Sequence, residues 1–371
     1  MWLGLGTRKN YGSRVYHSHA TDPRRRLSCR RDAAMVATLD ISSAVLQTVF
    51  LGGVTPNTPA VKGDVLLWSD NTNATLSFTA LDLKTGASSA YLGNNFDGIF
   101  VDSTSGDLIA ADITGGVVSR TRFGADSIAD LKPTTEPLSK TRFLANGVAI
   151  SKQQSIFWTD DDYSVCFSPV GADPQPCSTI RRRDSDGAVF DEATLMAPQF
   201  GNGVALSPDE STLYVALTRP LPSSIQAFDV ATDGSLSRQR TLVTSSLLNG
   251  ADGLAIRPSD GTLFVACGDH VAQVTINSEG RSSEVRTRDL VQPGRVQGVA
   301  FDAQRETLFI AARGSILSLS PGVQPWGSSP ADMTDKATAA PRLSSSALFA
   351  SPFVAVVAVW LGVRARVPWL A

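Results

Sequence analysis

Short apolar runs separated by polar turns dominate the sequence. The clearest runs are VLLWS, LIAAD, SIFWTD, TLYVAL, TLFVAC and TLFIAA, which are rich in β-branched and aromatic residues. Few segments place apolar residues at helical spacing. The 30 glycines and 20 prolines suit frequent chain reversals. The pattern therefore predicts an all-β protein made of many short strands.

One motif recurs along the chain. It consists of Asn, Asp or Gln, then Gly, then apolar residues, and a polar turn and an apolar strand follow it. Its glycines are Gly98, Gly147, Gly203, Gly253 and Gly298, at intervals of 49, 56, 50 and 45 residues. Repeats of this length with several short strands each are the signature of a β-propeller.

A sixth unit precedes the five motifs. It contains VKGDVLLWSD and ATLSFTALDLKTG, and its motif position falls near Asn57. The last unit contains only three strands, and the early segment SSAVLQTVFLG can supply the fourth. Sharing the first and last strands in one blade leaves no open sheet edge. We therefore predict one six-bladed β-propeller over residues 36–322, with an N-terminal strand closing the last blade.

The two ends of the chain differ from the middle. Residues 1–35 are Arg-rich and acid-poor, which is typical of an organelle transit peptide or of an over-extended start before Met35. Residues 323–346 form a linker rich in Pro, Ser and Ala. The C-terminal segment 347–371 includes the uncharged stretch 347–363, which suits a membrane anchor, a removable lipid-anchor signal or a terminal helix packed on the domain. The cellular location stays open.

Bulk composition limits the partners. Hydrophobic residues make up 42% of the chain, charged residues 18%, and the net charge is −2. Nothing in this balance favours binding to nucleic acid or to an anionic membrane. We expect a monomer. The four cysteines show no metal-ligand spacing. Cys166 and Cys177 bracket a Pro-rich loop and form either a disulfide or two unpaired thiols.

The motif residues have candidate chemistry. In a propeller the innermost strand of each blade lines the central channel, and its first residue lies at the channel mouth. Asn146, Asn202 and Asp252 are therefore expected to converge there, and the glycine after each is expected to allow a tight turn and leave room near the axis. Converging oxygen atoms are what Ca²⁺ requires. The alternative is that Asn-Gly and Asp-Gly serve only as good turns.

Several segments resemble one known family. NGVALSPDESTLYVA, ADGLAIRPSDGTLFVAC and FLANGVAISKQQSIFWTDDDY look like successive blades of the senescence marker protein/gluconolactonase-like six-bladed propellers, which include lactonases. The resemblance covers roughly residues 55–320. It implies one divalent cation at the channel mouth, usually Ca²⁺, with Zn²⁺ or Mg²⁺ as alternatives.

The resemblance also implies roles for particular residues. Asn202 and Asp252 match metal ligands, Asn146 matches a ligand or a substrate contact, and Asp160 and Tyr163 are expected near the site. The cation would polarise a lactone carbonyl and lower the pKa of a water molecule. Asp252 would then be both ligand and general base. The implied reaction is hydrolysis of a sugar-acid or other small lactone.

Two departures from the family pattern raise an alternative. Asn57 takes the place of a first-blade glutamate, which removes a negative charge and weakens Ca²⁺ binding. Asp112 lies near a position that is often histidine, and either restores a carboxylate or serves as a turn residue. The second hypothesis is therefore a propeller with little or no catalysis that binds a small ligand or a protein on the same face.

Overall fold

The computed structural model describes residues 39–51, 55–70, 76–123, 132–168, 175–290 and 295–321. Within these ranges, 24 strands form six four-stranded antiparallel sheets, so the predicted all-β six-bladed propeller is confirmed. The predictions for residues 1–35, 323–346 and 347–371 lie outside the described residues. Among the described residues, no helix has the length and apolar character needed to cross a bilayer.

The sheets follow one another along the chain as blades one to six. Blades one and two contain β2 (Pro56–Lys62), β3 (Val65–Asp70), β4 (Leu76–Asp82), β5 (Ser88–Leu92), β6 (Phe96–Val101), β7 (Leu108–Asp112), β8 (Val117–Arg122) and β9 (Thr134–Lys140). Blades three and four contain β10 (Leu144–Ile150), β11 (Ile156–Asp161), β12 (Pro176–Arg183), β13 (Val189–Met196), β14 (Phe200–Leu206), β15 (Thr212–Arg219), β16 (Ser224–Val230) and β17 (Leu236–Thr244). Blades five and six contain β18 (Ala251–Ile256), β19 (Leu263–Cys267), β20 (His270–Ile276), β21 (Ser282–Asp289), β22 (Val296–Asp302), β23 (Thr307–Ala312) and β24 (Ser315–Ser320).

The ring closes as the sequence predicts. Strand β1 (Val45–Leu51) is the outermost strand of blade six, in the order β1-β24-β23-β22. It runs antiparallel to β24, with Val45 opposite Ser320 and Leu51 opposite Ser315. The two ends of the propeller are thus joined by a full ladder of backbone hydrogen bonds, which leaves the innermost strands fixed around the axis.

The apolar core lies between the blades. The second strands β3, β7, β11, β19 and β23 are buried along their whole length, because neighbouring blades cover both of their faces. The fourth strands β5, β13 and β21 are partly or mostly exposed at the rim. Trp68 of blade one packs in one cluster with Phe309 of blade six. Burial of such large side chains stabilises each blade interface by about 2–3 kcal/mol per residue.

In the described part of the chain, two short helical turns interrupt the strands. Helix α1 (Tyr163–Cys166) follows β11, and a 3₁₀ turn (Ser246–Leu248) precedes β18. The Asp162 side chain caps α1 by accepting hydrogen bonds from the next backbone N–H groups. A disulfide joins Cys166 to Cys177, so of the two alternatives the bonded one is present. Since β11 ends where β10 begins, α1 lies at the same end of the blade as Asn146.

Candidate functional site

A β-bulge interrupts the innermost strand of every blade at the same place. The ladder to the second strand shifts register between Ala145 and Val148 in blade three, and between Ala251 and Leu254 in blade five. Equivalent shifts occur in the other four blades. A bulge bends its strand and redirects side chains. The motif therefore forms a bulge inside the strand, whereas the sequence predicted a turn.

The motif glycines are required by close approach of neighbouring blades. None of them has the positive φ that a tight turn would need. A Cβ on Gly147 would lie 2.4 Å from the carbonyl oxygen of Asn202, and one on Gly203 would lie 2.5 Å from that of Asp252. The glycines leave room near the axis, as predicted, because the innermost strands there meet backbone to backbone. The prediction that they form a tight turn is wrong.

Hydroxyl groups on the second strands bind the backbone that the bulges leave unpaired. Thr159 Oγ1 accepts from the Gly147 N–H at 3.1 Å and donates to the Asn202 carbonyl at 2.8 Å. Ser69 Oγ accepts from the Thr58 N–H at 3.0 Å and donates to the Asp97 carbonyl at 2.6 Å. Each hydroxyl thus joins the bulge of its own blade to the bulge of the next one.

Each bulge carries one polar residue, at the end of the innermost strand that the sequence analysis assigns to the channel mouth. In blade order these are Asn57, Asp97, Asn146, Asn202, Asp252 and Gln297. The three asparagines and Asp252 are at most 7% exposed, and Asp97 is partly buried. We call these six residues the mouth ring.

Asp252 has the most perturbed chemistry in the mouth ring. Burial raises the pKa of its carboxyl to about 6, although Arg295 and a hydrogen bond from Asn202 act in the opposite direction. Arg295 donates to Asp252 Oδ2 at 3.1 Å, and its own side chain is half exposed. Asn202 also donates from Nδ2 to Thr218 Oγ1 at 3.2 Å. Asn202 and Asp252 are therefore in contact, as the motif predicts.

Tyr163 brings a hydroxyl to the same place. Asn146 Nδ2 donates to Tyr163 Oη at 3.0 Å. The Tyr163 ring packs against Phe200, with centroids 4.9 Å apart. Burial raises the pKa of the Tyr163 hydroxyl well above its ordinary value, and the carboxylates of Asp97 and Asp252 raise it further. The hydroxyl therefore lies within electrostatic range of two carboxylates that start different blades.

Asp160 and Asp112 make contacts away from the mouth ring. Asp160 is fully buried and accepts from the backbone N–H groups of Arg142 and Phe143 at 2.6 and 2.7 Å, so it fixes the approach to β10. Asp112 accepts from the Gly115 N–H at 2.7 Å, which is the turn role that the sequence analysis allowed. Neither is hydrogen-bonded to a mouth-ring side chain.

Three charged residues of the site were not identified from the sequence. Asp97 stands in one of the five motifs, so its position was visible, but the family resemblance gave it no role. Arg295 precedes the last motif in QPGRVQG, and nothing local marks it. Asp161 ends β11; its Oδ1 accepts from Ser178, and its buried Oδ2 has no hydrogen-bond partner among the described residues.

Asn57 lies in the mouth ring at the place where the resemblance implies a glutamate. Its Nδ2 donates to Asp97 Oδ1. Within the described part of the chain, no three His, Cys, Asp or Glu residues form a group that could hold a metal ion. A cation site at the mouth would therefore have to combine carboxylates with amide oxygens.

Solved structures of known proteins share this fold. A gluconolactonase from Xanthomonas campestris superposes with a TM-score of 0.60 at 23% identity, over 78% of this chain and 92% of that one. A luciferin-regenerating enzyme gives 0.60 at 14% identity, over 76% and 96%. The calcium-binding protein regucalcin from Agrobacterium tumefaciens gives 0.54 at 13% identity, over 74% and 93%. At these identities the likeness shows the fold alone.

The comparison with protein-family models identifies the family, whereas the solved structures identify the fold. No curated protein matches the sequence. The model of the SMP-30/gluconolactonase/LRE-like region matches residues 56–313, which span all the innermost strands and the mouth ring. The chain therefore belongs to the SMP-30/gluconolactonase/LRE-like family.

Proposed function

We propose that this protein hydrolyses a small lactone, of the sugar-acid type or a related one, with a divalent cation at the channel mouth. The observation that carries the proposal is the mouth ring. Six bulges each carry one oxygen-bearing residue near the start of an innermost strand, and a buried carboxylate, Asp252, is among them. Family membership and the gluconolactonase neighbour support the same reaction class.

The donor set fits a hard divalent cation. Carboxylate and amide oxygens are the ligands that Ca²⁺ takes, six to eight at a time, and some positions are filled by water. The amide nitrogens of Asn146 and Asn202 donate to Tyr163 and Thr218, so these hydrogen bonds leave the amide oxygens for another ligand. We assign Asn146, Asn202 and Asp252 to hold the cation, with Asn57 in the position of the glutamate. Ca²⁺ suits this set best, and Zn²⁺ and Mg²⁺ are the alternatives.

In this proposal each residue of the site has a separate role in the reaction. When bound, a divalent cation polarises the lactone carbonyl and lowers the pKa of a water molecule. Asp252 accepts a proton from the attacking water, because it is the carboxylate among the three assigned ligands. Tyr163, whose Oη accepts a hydrogen bond from Asn146, would offer its hydroxyl to the substrate as a donor. Arg295 keeps the charge of Asp252 compensated when no other cation is near.

A lactone panel tests the proposal. Hydrolysis of sugar-acid and simple alkyl lactones is followed by acid release in the presence of Ca²⁺, Mg²⁺ or Zn²⁺, with the full-length chain. Asp252→Asn keeps the shape but removes the base, and we expect a loss of at least about 100-fold in turnover. Asp186→Asn, at an exposed turn, removes one negative charge away from the mouth and serves as the matched control. Equal turnover by Asp252→Asn and the control would remove Asp252 from the mechanism.

A second function is favoured by one contact. Arg295 already supplies a positive charge to Asp252, and Asn57 is neutral, which suits a propeller that binds a small ligand or protein without efficient catalysis. This function predicts no turnover of any lactone with any of the three cations. Saturable binding of a lactone or sugar acid that depends on Asp252 would then identify the mouth ring as a binding site.

A further inference from the structure

The mouth ring holds two carboxylates on opposite sides of the channel. Contacts of the motif glycines run from each blade to the next, from Asp97-Gly98 through blades three, four and five to Gln297-Gly298 and back to Asn57. Asp97 in blade two is therefore three positions from Asp252 in blade five. Both carboxylates lie within electrostatic range of the Tyr163 hydroxyl.

We propose that Asp97, in blade two, supplies the second carboxylate of the cation site. The neighbouring position in blade one is Asn57, where the family resemblance implies an acidic residue. The proposal rests on the proposed function and deepens it by assigning a ligand. Asn57 and Asp97 are adjacent in the ring and joined by a hydrogen bond from Asn57 Nδ2 to Asp97 Oδ1. The amide of Asn57 thus orients the carboxylate of Asp97. In this proposal Asp97 takes over the role of the glutamate that Asn57 replaces.

A buried, unpartnered oxygen within electrostatic range of Asp97 points to a cation nearby. Asp161 is fully buried; Ser178 donates to its Oδ1, while Oδ2 has no hydrogen-bond partner among the described residues. The negative charge of Asp97 acts on Asp161 directly. An unpaired buried carboxylate oxygen is costly unless a positive charge lies nearby. A divalent cation held by Asp97 would provide that charge.

The guanidinium of Arg295 lies on the Asp252 side of the ring. Arg295 reaches Asp252 Oδ2, on the far side of the channel from Asp97. Burial is the main cause that raises the pKa of the Tyr163 hydroxyl; the carboxylates of Asp97, Asp161 and Asp252 raise it further, and Arg295 lowers it. Three carboxylates and one guanidinium therefore lie within electrostatic range of this hydroxyl. Two carboxylates and the amide oxygens together make a more strongly charged donor set than Asp252 alone.

Cation binding tests the assignment without relying on turnover. Tb³⁺ replaces Ca²⁺ at oxygen sites, and Tyr163, which is hydrogen-bonded to the assigned ligand Asn146, is the expected sensitiser of its luminescence. The full-length protein is titrated with Tb³⁺ and then with competing Ca²⁺, and the Ca²⁺-induced rise in melting temperature is recorded in parallel. The variants are Asp97→Asn, Asp252→Asn, the double exchange Asn57→Asp with Asp97→Asn, and the control Asp186→Asn. Circular dichroism checks that each variant is folded.

The expected result is loss of affinity by at least about tenfold in Asp97→Asn, as in Asp252→Asn, with the control unchanged. The double exchange moves the carboxylate to blade one and keeps both side-chain shapes, so it recovers most of the lost affinity. If Asp97→Asn binds as the wild type does while Asp252→Asn does not, Asp97 is no ligand, and the proposed function stands. If the wild type binds neither ion, the inference and the cation-dependent function both fail.

Discussion

Replacing Gly203 by alanine is the most direct test of how the innermost strands pack. An alanine Cβ would lie 2.5 Å from the Asp252 carbonyl oxygen, 2.7 Å from the Leu254 nitrogen and 2.8 Å from the Gly253 Cα. All three are backbone atoms of β18, so no side chain can move aside. Overpacking costs 1–3 kcal/mol in general, and three such contacts place this change near the top, at about 3 kcal/mol.

Thermal unfolding measures that cost. For a domain of this size, 1 kcal/mol shifts the melting temperature by about 2 °C, so Gly203→Ala should melt about 6 °C lower. It should also weaken Ca²⁺ binding, because relief of the contact moves Asp252. Gly86→Ala is the comparison: Gly86 has φ +72° and no atom within 4 Å of an added Cβ, so only backbone strain of about 1 kcal/mol applies. A Gly203→Ala variant melting within 1 °C of the wild type would refute the described packing.

Three further predictions concern the mouth and its supports. Arg295→Gln removes the positive charge that competes for Asp252, so Ca²⁺ affinity measured by titration should rise; a fall would make Arg295 a supporting residue. Replacing Cys166 and Cys177 by serine should cost about 2–3 kcal/mol in the free energy of unfolding and lower kcat/KM, because α1 carries Tyr163; an unchanged kcat/KM would separate α1 from the reaction. Asp161→Asn should raise the melting temperature in chelator by about 2 °C at pH 7, because burial raises the pKa of Asp161 and its charged form destabilises the fold. Since a raised carboxyl pKa lowers stability as pH rises above the unfolded value of about 3.9, the difference between variant and wild type should widen from pH 4 to pH 7, and a constant difference would contradict this.

The repeat allowed the fold to be predicted in detail. Each blade carries the same run of apolar strands, and a period near 50 residues has few structural solutions. The closing strand could be predicted as well, because the last unit contains only three strands and the segment before Asn57 contains one strand that belongs to no other unit. Ring closure is thus a matter of counting strands, which the sequence permits.

The site was predicted only where the repeat or the family pattern marked it. Asn146, Asn202 and Asp252 follow from the motif. The role of Gly203 was misjudged, because a bulge and a turn share the same residues and only the contact with the next blade tells them apart. Arg295 is 43 residues from Asp252, so their ion pair has no local signal. Asp160 and Asp161 are adjacent in sequence but, as neighbours in a strand, point to opposite faces: Asp160 binds the backbone before β10, whereas Asp161 lies within electrostatic range of Asp97.

The most direct test of the central claim is the rate of lactone hydrolysis by the full-length protein before chelation, after treatment with EDTA, and after Ca²⁺ is added back. A cation held by the mouth ring predicts that the rate falls to the uncatalysed level in EDTA and returns with Ca²⁺. A rate that is unaffected by EDTA, or no hydrolysis at any stage, would contradict the account.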